Sequence, residues 1–196
     1  MYGLVNRALQ RFICSSYGES AWIEISREAG FRLDEFEPLL LYPDELTETI
    51  VAVAALRLRQ GRDDLLEDLG TFLVSHPSYE AARRLLRFGG SDFVEFLQSL
   101  DELPDRARLA LPGLDFPRIS VDMPLPGRTV LVCGRGLPGF SRVLTGLLRG
   151  LADDYGTLAM IDHAGSGGGE ARIVVDIHNA RFAQARRFDL ATPVAR

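Results

Sequence analysis

The sequence is poor in cysteine and histidine and carries no excess of basic residues. Its 196 residues include two cysteines and three histidines, and the formal net charge is −5. Cys14 and Cys133 form no Cys-x-x-Cys pair, and no His-x-x-His or acidic cluster has the spacing of a metal site, so no metal site is predicted. Because phosphate binding requires a basic surface, the net charge argues against nucleic acid as the main partner.

Long apolar runs are also missing. No segment approaches the ~20 apolar residues that a transmembrane helix requires, so no membrane association is expected. The opening residues MYGLVNRALQRF lack a separate apolar core and a small-residue cleavage site, and a secretory signal is therefore not expected. These absences predict a cytoplasmic protein whose two thiols stay reduced and free.

Patterns that would indicate catalysis are not found either. Ser99 and Ser141 have no evident histidine partner in the sequence, and there is no Gly-x-Ser-x-Gly elbow. The glycine-rich segment from Cys133 to Gly139 lies between a predicted strand and a predicted helix, as phosphate-binding loops do. It lacks the Gly-Lys-Ser/Thr ending and does not lie in a βαβ unit. The sequence therefore predicts no enzymatic activity.

The first part of the chain, to about residue 110, has the periodicity of amphipathic helices. A first helix carries Leu4, Ala8 and Phe12 on one apolar stripe. Ser20 is the expected N-cap of a second helix, and Ser91 is the expected N-cap of a later one. Ile23 and Leu56 are assigned to the apolar faces of their helices. The helices predicted after the first are Ser20–Ala29, Asp44–Leu58, Asp63–Phe72, Ala81–Phe88 and Asp92–Leu103.

After Pro104 the pattern becomes typical of strands, punctuated by prolines. One amphipathic helix, Phe140–Asp154, is inserted among them, and Gly165–Gly169 is expected to connect the last two strands as a hairpin. The predicted strands are Ile119–Met123, Thr129–Cys133, Thr157–Asp162 and Ala171–His178. The fold class is therefore α+β. A helical part over about residues 1–110 precedes a β-β-α-β-β part over about 115–180 that forms a four-stranded antiparallel sheet. Residues 1–180 are expected to form a single domain, followed by a C-terminal tail, 181–196.

Several local motifs occur in an order that resembles one family. Met1–Leu9, followed by Tyr17-Gly18 and Ala21-Trp22, is similar to the opening of H-NOX domains, also called heme-NO-binding domains. Ser78-Tyr79-Glu80, the helix that ends at Leu103, and Gly146–Leu151 resemble later parts of the same family. The resemblance covers about residues 1–180 and implies the H-NOX fold and a role like that of heme-based NO/O2 sensors.

The family's iron ligand is the point where this sequence departs. In H-NOX domains, the helix that corresponds to Asp92–Leu103 ends in a Leu-Asp-x-Leu-His pattern, and that histidine binds the heme iron. Here the pattern reads Leu100-Asp101-Glu102-Leu103-Pro104. Since proline has no side-chain donor atom, Pro104 cannot ligate iron. Heme remains conceivable as a cofactor only by resemblance, and no cofactor is expected to be bound in the family's usual way.

The second heme signature of the family, a Tyr-x-Ser-x-Arg strand that holds the propionates, is missing as well. An alignment on Gly139 and Gly146 of the following helix places Cys133, Arg135 and Leu137 at the three positions. An alignment on Gly136-Leu137 instead places Val130, Val132 and Gly134 there. Neither register preserves the motif. Arg135 retains a group that can bind an anion, but a solvated arginine beside a glycine-rich turn is the favoured interpretation.

Other positions that the resemblance assigns to the heme pocket are Val5, Pro117 and Leu144, each of which is equally well explained as a core or turn residue. Two residues are candidates for a substitute iron ligand. His76 would lie on the distal side or at the rim, and Cys133 would lie near the propionates under the first register.

Three functional hypotheses follow. The first is a sensor that binds another apolar ligand in the inherited pocket, the second is a protein-interaction module without a ligand, and the third is a heme sensor with a substitute ligand. The resemblance implies a signalling partner such as a histidine kinase or a cyclic-dinucleotide enzyme.

Overall fold

The computed structural model describes residues 1–31, 36–110, 115–167 and 169–179. Short 3-10 turns at Pro77–Tyr79 and Ser99–Glu102 accompany the helices. The helices are α1 (Gly3–Tyr17), α2 (Glu19–Glu28), α3 (Asp44–Leu58), α4 (Arg62–Ser75), α5 (Glu80–Arg87), α6 (Phe93–Gln98), α7 (Leu103–Ala110) and α8 (Phe140–Asp154). The strands are β1 (Ile119–Leu125), β2 (Arg128–Cys133), β3 (Leu158–Gly167) and β4 (Glu170–Asn179).

The predicted α+β order of elements is confirmed, with a helical part followed by β-β-α-β-β. The four strands form one sheet in the order β1-β2-β4-β3, and every neighbouring pair is antiparallel. The predicted hairpin between the last two strands is present as β3 and β4, but β3 continues to Gly167, so Gly165–Gly167 belong to the strand and not to the predicted connection. The predicted tail, residues 181–196, lies outside the described residues. None of the helices in the described part of the chain combines the length and apolar character needed to cross a bilayer.

Side chains alternate across the sheet, and one face is buried against α8. On β2, Leu131 and Cys133 are buried, whereas Val130 and Val132 between them are only half-buried. Ile173 of β4 pairs with Leu131 and belongs to the same core cluster. This period of two follows from the pleat of a strand that is covered on one side only. The sheet therefore contributes one wall of the core.

Two helix caps differ from the sequence prediction. The N-cap of α2 is Gly18, whose φ is 92°, and not the predicted Ser20. At α6 the cap is Asp92, whose carboxylate accepts from the Glu95 N–H at 2.9 Å. Ser91 instead donates to the Glu95 carboxylate through its N–H and its hydroxyl, so the two residues and Glu95 form a reciprocal capping arrangement.

Three apolar assignments were wrong: Leu4, Ile23 and Leu56 are exposed. The second helix buries Trp22 and Ile25 instead. The Trp22 ring contacts Phe31 and Phe36, and Ile25 belongs to the same core cluster.

The predicted helix Asp92–Leu103 is interrupted. Helix α6 ends at Gln98, a 3-10 turn covers Ser99–Glu102, and α7 begins at Leu103 and continues beyond Pro104. Proline is tolerated there because the N–H groups of a first helical turn have no partner inside the helix. Pro104 is therefore part of a helix start, and the chain does not leave the helix at this residue.

The core consists of two clusters. One lies among α1 to α4, and the other lies between the sheet, α6 and α8. Helices α4 and α8 join them at close range through Gly70 and Gly146. A Cβ atom on Gly70 would lie 1.9 Å from the Val143 carbonyl oxygen, and one on Gly146 would lie 1.7 Å from the Glu67 carbonyl oxygen. Only glycine allows the two backbones to approach this closely.

Candidate functional site

Pro104 lies at the junction between the 3-10 turn and α7. Its side chain is buried, and its neighbours Leu100 and Leu103 pack in the sheet-side cluster. The pyrrolidine ring supplies no hydrogen-bonding or metal-binding atom at this position. The site that the resemblance assigns to an iron ligand thus holds an apolar ring at the edge of the core.

Cys133 and Leu144 lie in that same cluster. Each is about 2% exposed, Cys133 at the end of β2 and Leu144 on α8. Cys133 pairs with Ile119 of β1 and Ala171 of β4 in the sheet register. Burial raises the pKa of the Cys133 thiol to about 12, because an apolar surrounding disfavours the thiolate. The group is therefore a neutral thiol at physiological pH.

The positions of the propionate motif that fall on β2 lie on opposite faces of the sheet in the two alignment registers. In the first register Cys133 faces Leu144 and the buried cluster. In the second, Val130 and Val132 face away from the buried side. Only the first register directs a side chain of the motif toward the other pocket positions.

Arg135 is exposed in the loop between β2 and α8. Its guanidinium lies against Gly169 of the β3–β4 turn, where a Cβ atom would be 2.2 Å from the arginine Nε. The loop contacts the chain before β1 as well. The Gly134 N–H donates to the Arg118 carbonyl at 2.8 Å, and a Cβ atom on Gly136 would lie 2.8 Å from the ring of the buried Pro117.

Val5 is half-buried in the first turns of α1. The same helix contributes Leu9, Phe12 and Ile13 to the helical cluster. The structure therefore brings Cys133 and Leu144 together in the sheet-side cluster. Pro104 and Pro117 are buried. Val5 belongs to the helical part, and Arg135 lies at the surface.

His76 caps the end of α4, and both of its ring nitrogens have partners. The Ser78 N–H donates to Nδ1 at 3.3 Å, and the Ser15 hydroxyl lies 3.2 Å from Nε2. Since Nδ1 accepts, Nε2 carries the proton and donates to Ser15. The ring also stacks on Phe72 with 4.5 Å between centroids. Within the described residues no three histidine, cysteine or acidic side chains are grouped so as to hold a metal.

Ser141 has a histidine partner that the sequence did not reveal. Its hydroxyl lies 3.0 Å from His163 Nε2, because the start of α8 packs on β3. The Gly165 N–H donates to His163 Nδ1, so Nε2 carries the proton and donates to Ser141. Burial, with the positive charge of Arg142, lowers the pKa of His163. A histidine in this tautomer cannot remove a proton from the serine.

Two small cavities adjoin the loop between β2 and α8. One of about 140 Å³ is lined by residues that include Tyr2, Asp44 and Asp115. The other, of about 200 Å³, lies beside Cys133 and Phe140, and Leu137 lines both. Pockets for drug-sized ligands usually measure roughly 300–1,000 Å³. Each of these cavities is below that range.

A buried polar pair in the helical part was not foreseen from the sequence. Asn6 of α1 is fully buried, and its Oδ1 accepts from the Thr47 hydroxyl of α3 at 2.7 Å. The Asn6 Nδ2 atom has no hydrogen-bond partner among the described residues. Asparagine in the middle of a helical stripe is the sequence signal for such a pair, but its partner lies 41 positions away.

The sequence model of a family described as Haem-NO-binding matches residues 2–163. The chain belongs to the heme-NO-binding, or H-NOX, family. The resemblance seen in the sequence is thereby confirmed, and the chain is a sensor domain of the heme NO/O2-binding type.

Curated relatives of this H-NOX domain are larger proteins. Soluble guanylate cyclase 89Db of Drosophila melanogaster is 24% identical over 160 residues, which cover 82% of this chain and 24% of that protein. Soluble guanylate cyclase gcy-37 of Caenorhabditis elegans is 31% identical over 104 residues, covering 53% of this chain and 15% of that protein. The chain spans about a quarter of the length of relatives such as 89Db.

Solved H-NOX structures have the same fold. The H-NOX protein from S. oneidensis in its Fe(II)NO ligation state superposes with a TM-score of 0.76 at 19% identity, covering 91% of this chain and 100% of that one. A mutant of T. Tengcongensis H-NOX gives a TM-score of 0.77 at 16% identity, covering 91% and 98%. At these identities the likeness concerns the fold alone.

Proposed function

We propose that this H-NOX domain signals without heme, by binding a partner protein through its surface. The observation that carries the proposal is the buried Pro104 at the start of α7. In the sequence resemblance this residue takes the place of the family's iron-binding histidine, and its side chain has no donor atom. A heme placed against α7 would therefore have no axial ligand from this position.

The two candidates for a substitute ligand do not fit the role. Cys133 is about 2% exposed in the sheet-side cluster, so an iron ion could reach its sulfur only by displacing buried apolar side chains. His76 uses Nδ1 as an acceptor for Ser78 and Nε2 as a donor to Ser15. Iron binding at either nitrogen of His76 would displace the hydrogen-bond partner of that nitrogen.

Packing near the inherited pocket favours a domain without a large ligand. Cys133 and Leu144 are buried among their neighbours. Phe116 and Phe140 meet edge to face with 4.8 Å between ring centroids and pack against that cluster. The residues present thus do not fit the family's heme, and an interaction module is favoured over a sensor of a heme-sized apolar ligand.

The partner is proposed to be a signalling protein. In guanylate cyclase 89Db the similar region occupies 24% of the protein, so one possible receiver of the signal is a further part of the same protein chain. A separate effector, such as a histidine kinase or a cyclic-dinucleotide enzyme, would receive the same kind of contact. In both cases the surface transmits the signal.

A hemin titration tests the proposal. The purified protein and its His76→Ala and Cys133→Ala variants are titrated with hemin while the Soret band is recorded. We expect a broad band in all three proteins, with no saturation at one heme per chain. A sharp band that saturates at one heme per wild-type chain would overturn the proposal, and its loss in one variant would identify the ligand.

Native mass spectrometry distinguishes the two heme-free alternatives. The protein is purified from its own host and its mass is compared with that of the unfolded chain. We expect no additional mass. An apolar molecule bound at one per chain would instead favour the sensor of another ligand and argue against the interaction module.

A further inference from the structure

Strand β3 contains a bulge between His163 and Ser166, where its register with β4 shifts. Gly165 lies inside this bulge with a φ of 101°, a positive value that glycine adopts without strain. The Gly165 N–H donates to Nδ1 of the His163 ring at 3.2 Å. The ring therefore holds the bulge together, in the way that an asparagine side chain accepts from the backbone two residues later.

The other ring nitrogen fastens β3 to the start of α8. Nε2 of His163 lies 3.0 Å from the hydroxyl of Ser141, the second residue of that helix. Because Nδ1 accepts from Gly165, the neutral ring carries its proton on Nε2 and donates it to Ser141. One imidazole ring thus connects the bulge of β3 to the helix that packs on the sheet.

The charged groups nearest the ring come from α4 and α8 and balance one another. The Arg142 guanidinium lies 2.9 Å from a carboxylate oxygen of Asp63 and 2.9 Å from one of Glu67. Arg149 donates to the second carboxylate oxygen of Glu67. Two carboxylates therefore face two guanidinium groups, and a proton on His163 adds a positive charge that no remaining carboxylate of this cluster offsets.

On β4 the residue that pairs with His163 is Ile173, a fully buried apolar side chain. Burial of the ring and the positive charge of Arg142 lower the pKa of His163 from its ordinary value, although Asp63 and Glu67 act in the opposite direction. The ordinary value is about 6.5. The ring is therefore neutral at pH 7, and it takes up a second proton only in more acidic solution.

We propose that His163 is a pH-sensitive latch of the β3–β4 hairpin. A proton on Nδ1 converts that nitrogen from an acceptor into a donor, so the bond from the Gly165 N–H is lost. The Nε2 proton is present in both forms of the ring, so the bond to Ser141 remains and β3 stays attached to α8. Acidification thus releases the bulge and leaves the rest of the sheet in place.

The released part of the hairpin contacts the loop between β2 and α8. Gly169 lies just before β4 and packs against Arg135, since a Cβ atom on this glycine would be 2.2 Å from the arginine Nε. Arg135 is exposed, so a change at the bulge alters a charged position on the surface. The latch operates whether or not the domain binds heme, and it is therefore independent of the proposed function.

Nuclear magnetic resonance of the full chain, labelled with ¹⁵N, tests the latch between about pH 7.5 and pH 5. Spectra of the imidazole nitrogens show which nitrogen of His163 carries the proton. We expect the proton on Nε2 at the higher pH, and protonation of Nδ1 with a midpoint below about 6.5. The amide resonances of Gly165 and Gly169 and the Nε resonance of Arg135 should shift with the same midpoint. The protection factor of the Gly165 amide against hydrogen exchange should fall about three- to ten-fold, as the loss of one hydrogen bond implies.

Three variants assign the response to the ring. His163→Gln keeps a side chain that can accept from Gly165 but does not titrate, so the shift of the Gly165 amide with pH should disappear. His178→Gln is the matched control, because His178 is exposed on β4 and its replacement should leave the shift unchanged. Ser141→Ala removes the group that fixes the tautomer. The neutral ring should then place part of its protons on Nδ1, and the Gly165 amide should move toward its acidic position already at about pH 7.5.

Other results overturn the latch. A neutral wild-type ring with its proton on Nδ1 could not accept from Gly165, and the proposed bond would be wrong. An equal response of the Gly165 amide in the wild type and in His163→Gln would assign the change to another group. Collapse of the whole amide spectrum at the midpoint of His163 would mean that acid unfolds the domain, with no local release.

Discussion

Gly146 of α8 contacts the backbone of Glu67 on α4 so closely that a methyl group on the glycine would lie 1.7 Å from the Glu67 carbonyl oxygen. The Glu67 side chain strengthens the same junction by accepting from Arg142 at 2.9 Å and from Arg149 at 2.5 Å. The helical and sheet parts therefore meet through a backbone contact that leaves no room for a side chain.

Replacing Gly146 by alanine should destabilise the protein strongly. The added Cβ atom must push two helix backbones apart, and overpacking typically costs about 1–3 kcal/mol. We expect a loss at or above the upper end of that range in the free energy of unfolding, measured by urea denaturation. Gly61→Ala is the control, because its Cβ atom would meet only the flexible side chain of Asp64. A loss below about 1 kcal/mol for Gly146→Ala would contradict the close contact.

The cap of α6 gives a second prediction. Asp92→Ala removes the acceptor of the Glu95 N–H and should lower the free energy of unfolding by about 1 kcal/mol. Ser91→Ala leaves that acceptor in place and should cost less in the same denaturation experiment. If Ser91→Ala proved the more damaging substitution, Ser91 would be the principal cap, as its sequence position suggested.

The sequence predicted element types better than element ends. Apolar periodicity depends on many residues, so it indicated the four strands and the helices other than α7 correctly. A cap depends on one hydrogen bond, and Ser91 and Asp92 are equally suitable residues at adjacent positions. The interruption of the helix after Gln98 has no comparable signal, since Ser99–Glu102 and the residues after it are all compatible with a helix.

The candidate site was predictable only in part. The family resemblance identified Pro104 as the position to examine, but neighbours that are distant in sequence decide what the other residues can do. His163 lies 22 positions after Ser141, and Ser15 lies 61 positions before His76. The orientation of α5 also depends on such contacts, because Asp154 and Tyr155 hold Arg83 and Arg87 on the inner side of that helix.

The buried pair of Asn6 and Thr47 predicts a non-additive effect on stability. Thr47→Val leaves the buried Asn6 oxygen without its donor and should cost about 1–3 kcal/mol. Asn6→Leu combined with Thr47→Val removes both polar groups and should cost less than Thr47→Val alone. Thermal and urea denaturation measure the stability of the double variant and of each single variant. A double variant that loses as much stability as the two single substitutions together would show that the pair is not coupled.

Cys133 should make the protein less stable at alkaline pH. Its pKa is about 12 in the folded chain but about 8.5 in an unfolded one. The contribution of the neutral thiol is complete below the unfolded value. It falls as the pH rises from there toward 12, because the unfolded chain then releases a proton that the folded chain retains. Relative to Cys133→Ala, the wild type should therefore lose about 2 kcal/mol between pH 7 and pH 10.

Urea denaturation of both proteins at pH 7, 8, 9 and 10 measures this difference. Cys14, whose pKa is raised by burial and by Glu19, is present in both proteins and cancels in the comparison. A difference that stays constant over this range would mean that Cys133 ionises as readily in the folded chain as in the unfolded one.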